Sequence, residues 1–540
     1  MKPAFFNICR EPDYVLFQYA DSSVRFEEPD SLEERRERIG FERVGDALAV
    51  TLYPGERPYL RVKLRWDGDL SSGVLCLGDS WERSGITPKR DLECVWTGIE
   101  PRRRMPWYFH LYDGVALHSF GVKTGASVFA WFECDTSGIT LWLDARSGGQ
   151  PVELLEPLTA CEVVCREGRE GEIPFRAAED FCRRMCPKPN LPSEPVFGLN
   201  NWYWAYGKIT HESVMEECDY LSEMTVDVAC RPHMVIDAGW QQNYCSHRYG
   251  SYIGGPWEHG NAGFPDIAGT AEAIHARGAR AGIWIRPLVT CQNVPPEAVG
   301  IRKSDGGGVS LDPSHPYVRE MIAADVARLR SWGYDLIKHD FTVYDTVRSV
   351  TAADASLPAF YDKHHPSAYI MRELYRLIED SAGGATVLGC STFGHLAAGI
   401  HAIQRVGADT SGRNFEVTRA CGVGTFVRLP QNKTFFSHDP DCAAFTAKVS
   451  HGRNLDFLEA AAVTGATTIA SVTPGTLTGE EMARMRRIFK TASEGGLGAI
   501  PADWLGHQEP TTFETADGRR FVFDWYSDYR GVRQFYSWGN

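Results

Sequence analysis

Up to about residue 180 the apolar positions alternate with polar ones or run through β-branched residues. "DALAVTLYP", "YLRVKLRWDG", "GVLCLGDSWER", "VALHSFGVKTGASVFAWFEC" and "GITLWLDARSGG" are punctuated by Gly, Pro and Asp, a period-two texture that predicts strands joined by turns. A β-sandwich over residues 1–180 is the expectation. "RAAEDFCRRMC" then has helical spacing, and "PKPNLPSEP" carries four prolines among polar residues. Proline lacks the donor that a helix or ladder needs, so residues 181–195 read as a helix end and a stiff linker.

From residue 196 the texture becomes short apolar runs alternating with longer stretches of helical period. The runs are "VFGLNNW", "HMVIDAG", "RAGIWIRP", "DLIKHDF", "ATVLGCS", "AIQRVGAD", "TFFSHDP" and "TTIASVT". Between them lie amphipathic segments such as "ESVMEECDYLSEM", "AGTAEAIHARG", "VREMIAADVARLRSWG" and "SAYIMRELYRLIEDS". Eight such units are what a closed (β/α)8 barrel requires, here over residues 196–500. The aromatic, turn-rich sequence after residue 500 predicts a short C-terminal β element over 501–540. The expected fold class is therefore α/β: a (β/α)8 barrel preceded by an N-terminal β-sandwich domain and followed by a small β element.

The chain has 540 residues, 43% of them hydrophobic and 23% charged, which are globular values for a large, multi-domain protein. Its formal net charge is −14 and its Lys and Arg are scattered, so the electrostatic footprint of a nucleic-acid partner is missing. Polar residues break the first segment before a signal-like apolar core forms, and no run reaches the roughly 18 apolar residues of a membrane span. A soluble, cytoplasmic protein is expected, with homo-oligomer formation left open. Fifteen cysteines, irregularly spaced and odd in number, read as reduced core thiols. Cys182 and Cys186 have no second pair at metal-ligand spacing, so no metal and no cofactor are expected.

Candidate chemistry sits at the ends of the apolar runs. In "DLIKHDF" the strand period puts Leu336, Lys338 and Asp340 on one face and Ile337, His339 and Phe341 on the other. Lys338 and Asp340 would then point into the barrel near its C-terminal mouth, where barrel enzymes keep their active sites. A structural ion pair is the plainer alternative, but burying one has a desolvation cost of several kcal/mol. Asp237 closes "HMVIDAGW", Arg286 follows "AGIWI", Arg405 and Asp409 lie in "QRVGADTSG", and Asp439 and Asp441 follow "TFFSH". Each taken alone could be a cap, a surface ion pair or a turn. Together at one barrel mouth they point to chemistry. Paired carboxylates with cationic and aromatic neighbours, and neither a phosphate loop nor a G-x-S-x-G elbow, fit glycoside hydrolysis best. Trp202 and Trp284 could supply flat walls for a sugar ring.

At this point the residues resemble a known family. "FGLNNWYWAYGKITHESVMEECDYL", "VIDAGWQ", "AGIWIRP", "DLIKHD", "GCSTFG" and "RVGADTS" look like successive motifs of the α-galactosidase (melibiase) clan of retaining glycoside hydrolases, over roughly residues 196–445. The larger members also place a β-sandwich before the barrel. The resemblance implies that Asp340 is the nucleophile and Lys338 a hydroxyl-binding cation. It also implies that Asp409 is the general acid/base and Arg405 a sugar contact. Cys390 and Ser391 match a C-S motif after the fifth strand, and Trp202 and Asp237 match substrate-binding positions on the first two. The partner implied is a small carbohydrate.

Three positions depart from the family pattern. Ala238 follows Asp237 where a second aspartate is common, His339 replaces an aromatic residue, and "STFGHL" lacks a glycine-rich run. With one carboxylate fewer to read hydroxyls, β-L-arabinopyranosides, α-N-acetylgalactosaminides and α-glucosides stand beside α-galactosides as expected substrates. Transglycosylation of the raffinose-synthase type is the nearest alternative reaction. A non-catalytic carbohydrate-binding protein and a metal-dependent hydrolase using "SHDPD" stand further off.

Overall fold

The computed structural model describes residues 5–20, 26–83, 94–244, 252–301, 308–347 and 357–526. The end of the expected C-terminal element, from residue 527 on, lies outside them.

The alternating runs at the N-terminus form two antiparallel sheets, one of six strands and one of seven. In the first, Tyr14–Tyr19 pairs with Tyr59–Asp67, which pairs with Gly138–Asp144 and through it with Phe129–Asp135. The second runs from Ile39–Val44 through Ala47–Leu52, Leu158–Arg166, Leu117–Val122 and Tyr108–Tyr112 to Leu75–Gly78 and Trp96–Thr97. Period two decides which side chains face inward, so Val62, Leu64 and Trp66 of one strand and Leu141 and Leu143 of its neighbour are all fully buried. The helix expected near residue 180 spans Pro174–Met185, with proline at its first turn, where the missing N–H costs nothing.

The second half curls into a parallel barrel. Its strands are β1 (Phe197–Asn200), β2 (His233–Ile236), β3 (Arg280–Ile285), β4 (Leu336–His339), β5 (Thr386–Gly389), β6 (Ile403–Arg405), β7 (Ser437–Asp439), β8 (Ala443–Phe445) and β9 (Thr468–Val472). They are hydrogen-bonded in the order β7-β6-β5-β4-β3-β2-β1-β9-β8. The sequence predicts eight strands, and the ninth arises because the seventh is broken at Pro440, Asp441 and Cys442. Its first half pairs with β6 and its second with β9. The N–H of Thr467 donates to the carbonyl of His438 at 2.9 Å and closes the ring.

Both faces of each strand are covered, so the strands read as near-continuous apolar runs. The inner faces form a core of their own that includes Val235, Leu336, Leu388, Ile403, Ala444 and Ile469. Ile337, on the opposite face of β4, belongs to the larger outer core under the helices. Lys338 shares the inner face with Leu336. Beyond the barrel, Ile500–Pro501, Thr512–Glu514 and Arg520–Val522 make a three-stranded antiparallel sheet.

The sandwich is docked against the barrel by polar and aromatic contacts. Arg428 donates from Nε to Asp79 at 2.8 Å, and both side chains are buried. Gln431 bridges Asp79 and the Tyr108 hydroxyl at 3.0 and 2.7 Å. Trp107 stacks on His395 with ring centroids 4.7 Å apart, and Phe129 meets Phe393 at the same distance. No helix among the described residues is long and apolar enough to cross a membrane.

Candidate active site

Asp340 is the first residue after β4, and the chain turns sharply behind it. Phe341 adopts φ 66°, a left-handed conformation costing about 1–3 kcal/mol for such a residue. The turn lets the Phe341 N–H donate to Asp340 Oδ1 at 2.7 Å, while Nε1 of the buried Trp284 on β3 donates to Oδ2 at 3.2 Å. Burial pushes the Asp340 carboxyl up. The charges of Arg83 and Lys338, with bonds from Ser391 and Trp284, outweigh it and hold the group at about 2. It is a preformed carboxylate.

Lys338 faces across the barrel to the end of β2, where its Nζ donates to Asp237 Oδ2 at 2.7 Å. Asn200, at the end of β1, donates to the same oxygen at 2.7 Å, and Oδ1 accepts the N–H of Ala238 at 2.9 Å. Desolvation of Lys338 is outweighed by the Asp237 charge, so the ammonium is held well above its ordinary range. Three strand ends are thereby tied into one polar cluster.

Arg405 ends β6, and Asp409 lies four residues on. Gly407 between them is pressed against the helix Phe415–Cys421, where a Cβ would stand 1.9 Å from the Cys421 carbonyl. Arg405 Nη2 donates to Asp409 Oδ1 at 2.9 Å and to Asp441 Oδ2 at 2.6 Å. Asp441, at φ 80° in the break of the seventh strand, also accepts the Tyr203 hydroxyl and the Thr410 N–H. Its Oδ2 is thus saturated by donors, and Asp441 serves as the anchor of Arg405. Asp409 itself is half-buried where Asp340 is buried, which makes it the more solvent-open of the two carboxylates.

Cys390 places its sulfur 3.8 Å from Nη1 of both Arg405 and Arg83, and burial followed by the Asp340 charge pushes its thiol up. Ser391, left-handed at φ 50°, is among the groups that hold the Asp340 carboxyl down. Trp202 is half-buried and meets Tyr252 and Tyr206 edge-on at 5.0 and 5.7 Å. Arg286 is directed elsewhere: it forks onto Asp345 at 2.9 and 2.6 Å and lies 4.3 Å over the Phe341 ring. It supports the turn behind Asp340. Trp284 touches Asp340 and Arg405 touches Asp409.

Four contributors had no signal in the sequence reading. Arg83 comes from the sandwich, and its Nη1 donates to Asp409 Oδ1 at 2.8 Å across 326 residues of chain. Tyr203, Tyr252 and Tyr344 are aromatic positions indistinguishable from packing residues by pattern alone. Among the described residues no group of three or more His, Cys, Asp or Glu side chains is arranged to hold a metal ion.

No protein-family model and no curated protein matches the sequence. Solved structures do match the fold. An α-galactosidase from Thermus thermophilus in complex with p-nitrophenyl α-D-galactopyranoside is 18% identical, with a TM-score of 0.60 over 89% of this chain and 95% of that one. The GH36 α-galactosidase AgaA from Geobacillus stearothermophilus is 13% identical, with a TM-score of 0.60 over 95% and 81%. A GH31 family sulfoquinovosidase from E. rectale is 11% identical, with a TM-score of 0.55 over 97% and 88%. With a β-sandwich, a parallel barrel and acidic side chains at the barrel mouth, the chain has the fold of the GH36 α-galactosidases.

Proposed function

We propose that this chain is a retaining exo-glycoside hydrolase of the α-galactosidase type, releasing a terminal α-galactosyl or related glycosyl residue from a small carbohydrate. The observation that carries the reading is the contrast between the two carboxylates. Asp340 is buried, donor-bound and ionised; Asp409 is more open to solvent, with one oxygen fixed by guanidinium groups.

In the first step Asp340 attacks the anomeric carbon, the bond to the leaving oxygen breaks, and Asp409 gives that oxygen its proton. In the second, Asp409 takes a proton from water, the water oxygen bonds the anomeric carbon, and Asp340 leaves as the carboxylate. Two inversions retain the configuration. The Asp237–Lys338 pair at 2.7 Å presents an acceptor and a donor to adjacent sugar hydroxyls. Trp202 supplies an aromatic wall, and Trp284, Cys390, Ser391 and Arg405 line the space beside the two carboxylates. The buried Ala238 leaves Asp237 as the acid at that corner, which favours sugars that need one hydroxyl fewer to be read.

The test is a panel of p-nitrophenyl α-galactoside, α-glucoside, α-N-acetylgalactosaminide and β-L-arabinopyranoside, with the first-formed anomer read by NMR. Turnover of a member with retained configuration supports the proposal. Sugar binding without turnover across the panel supports a non-catalytic carbohydrate-binding protein instead.

A further inference from the structure

Arg83 reaches the barrel mouth from outside the barrel, and buried contacts set its position. The strand Leu75–Gly78 ends at Asp79, which Arg428 and Gln431 of the barrel hold at 2.8 and 3.0 Å. Trp81 then packs edge-on against Trp107 and Phe129 at 5.3 and 5.6 Å. Arg428 Nη1 donates to the carbonyls of Glu82 at 3.1 Å and Val406 at 2.7 Å. One buried guanidinium thus joins the segment that carries Arg83 to the segment that carries Arg405 and Asp409. From this anchor Arg83 Nε pairs with Glu82 at 2.8 Å, and Nη2 reaches the Tyr344 hydroxyl at 3.4 Å.

Arg83 and Arg405 donate to the same oxygen of Asp409, Oδ1, at 2.8 and 2.9 Å. An oxygen that accepts two N–H donors has no free lone pair on which to carry a proton. In the neutral acid Oδ1 is therefore the carbonyl oxygen, and the proton resides on Oδ2. Resting on the hydrolase reading, we propose that Arg83 is a positioning residue which, with Arg405, fixes the transferable proton of Asp409 on Oδ2, so that the sandwich completes the catalytic acid of the barrel. Among the described residues the phenols of Tyr203, Tyr206 and Tyr252 also feel the Asp409 charge, with Arg413 over the Tyr206 ring, Asp441 beyond Arg405, and the Cys390 thiol against Arg405 and Arg83. Arg83 and Arg405 are, among the described residues, the cations bonded to Asp409.

Arg83→Gln tests this on the glycoside that the wild type turns over best, offered in p-nitrophenyl and methyl forms. Removing a positive charge makes Asp340 hold its proton to higher pH, so the acidic limb of the kcat/KM profile moves up. With the acid misdirected, kcat falls about 100-fold on the methyl glycoside and less than about tenfold on the p-nitrophenyl form, which needs little proton assistance. Arg83→Lys keeps that limb in place while kcat stays depressed, and guanidinium ion restores part of the activity of Arg83→Ala. Thermal melts of all three variants identify loss through misfolding, which the Lys variant and the chemical rescue bypass. Equal losses on both leaving groups with an unmoved acidic limb overturn the inference while leaving the hydrolase reading intact. A wild-type chain that turns over no glycoside overturns both.

Discussion

Lys338 donates to Asp237 at 2.7 Å, across the barrel from β4 to β2, although Asp340 is only two residues away along its own strand. The alternation of side chains puts Lys338 and Asp340 on the same face, yet the direct ion pair forms with the neighbour that the closed sheet brings opposite. Lys338 then acts on Asp340 through space, as one of two cations holding that carboxyl at about 2.

Breaking the Lys338 pair leaves a buried carboxylate uncompensated. Lys338→Met is expected to destabilise the fold by about 3–5 kcal/mol in urea unfolding. The double variant with Asp237→Asn loses less than the sum of the single changes, because each partner is costly chiefly when the other is left alone. The acidic limb of kcat/KM also moves to higher pH in Lys338→Met.

Asp409→Ala separates the two steps. Glycosides with alkyl or sugar leaving groups lose about 10²- to 10⁴-fold in rate, while p-nitrophenyl glycosides still form the glycosyl-enzyme. Azide accelerates its breakdown, and the glycosyl azide retains the substrate's configuration, as NMR of the product would show.

Behind the nucleophile, His339 Nε2 meets His401 Nε2 at 2.9 Å, and His401 Nδ1 meets Glu379 at 3.2 Å. Burial keeps both imidazoles neutral well below their ordinary range and pushes Glu379 up from 4.5 to about 7. The folded state therefore holds the Glu379 proton more tightly than the unfolded chain. This contribution to stability is complete below about 4.5 and is lost as pH rises through about 7, a change of up to roughly 3 kcal/mol. Glu379→Gln should melt higher than wild type at pH 8 and show no such advantage at pH 4, as calorimetry at both pH values would reveal.

The contact between sandwich and barrel rests on Asp79 and Arg428, both buried. Arg428→Met is expected to cost about 3–5 kcal/mol in thermal unfolding. It also lowers kcat at temperatures where the fold persists, because the same guanidinium holds the carbonyls of Glu82 and Val406 on either side of the site.

The barrel was legible because short β-branched runs covered on both faces differ sharply from amphipathic helices. Ile337 and Leu336 lie in the outer and inner cores as the strand period predicts. The broken seventh strand was not, since "TFFSHDPDCAAF" carries no mark of where Asp441 turns left-handed, and only the folded sheet shows the two halves pairing with different neighbours. Arg286 was expected at the barrel mouth and is forked onto Asp345, a residue that pattern alone does not connect to it. Arg83 was invisible for a related reason: periodicity reports which face of a strand is buried and is silent about what a neighbouring domain delivers.

The most direct measurement concerns Asp340, the carboxylate gripped by Trp284 and Phe341. Replacing it with glycine opens a space for a small anion beside the anomeric carbon. Asp340→Gly is predicted to abolish hydrolysis, and added azide to restore turnover as a glycosyl azide of configuration opposite to the substrate. Undiminished hydrolysis by Asp340→Gly would contradict the account.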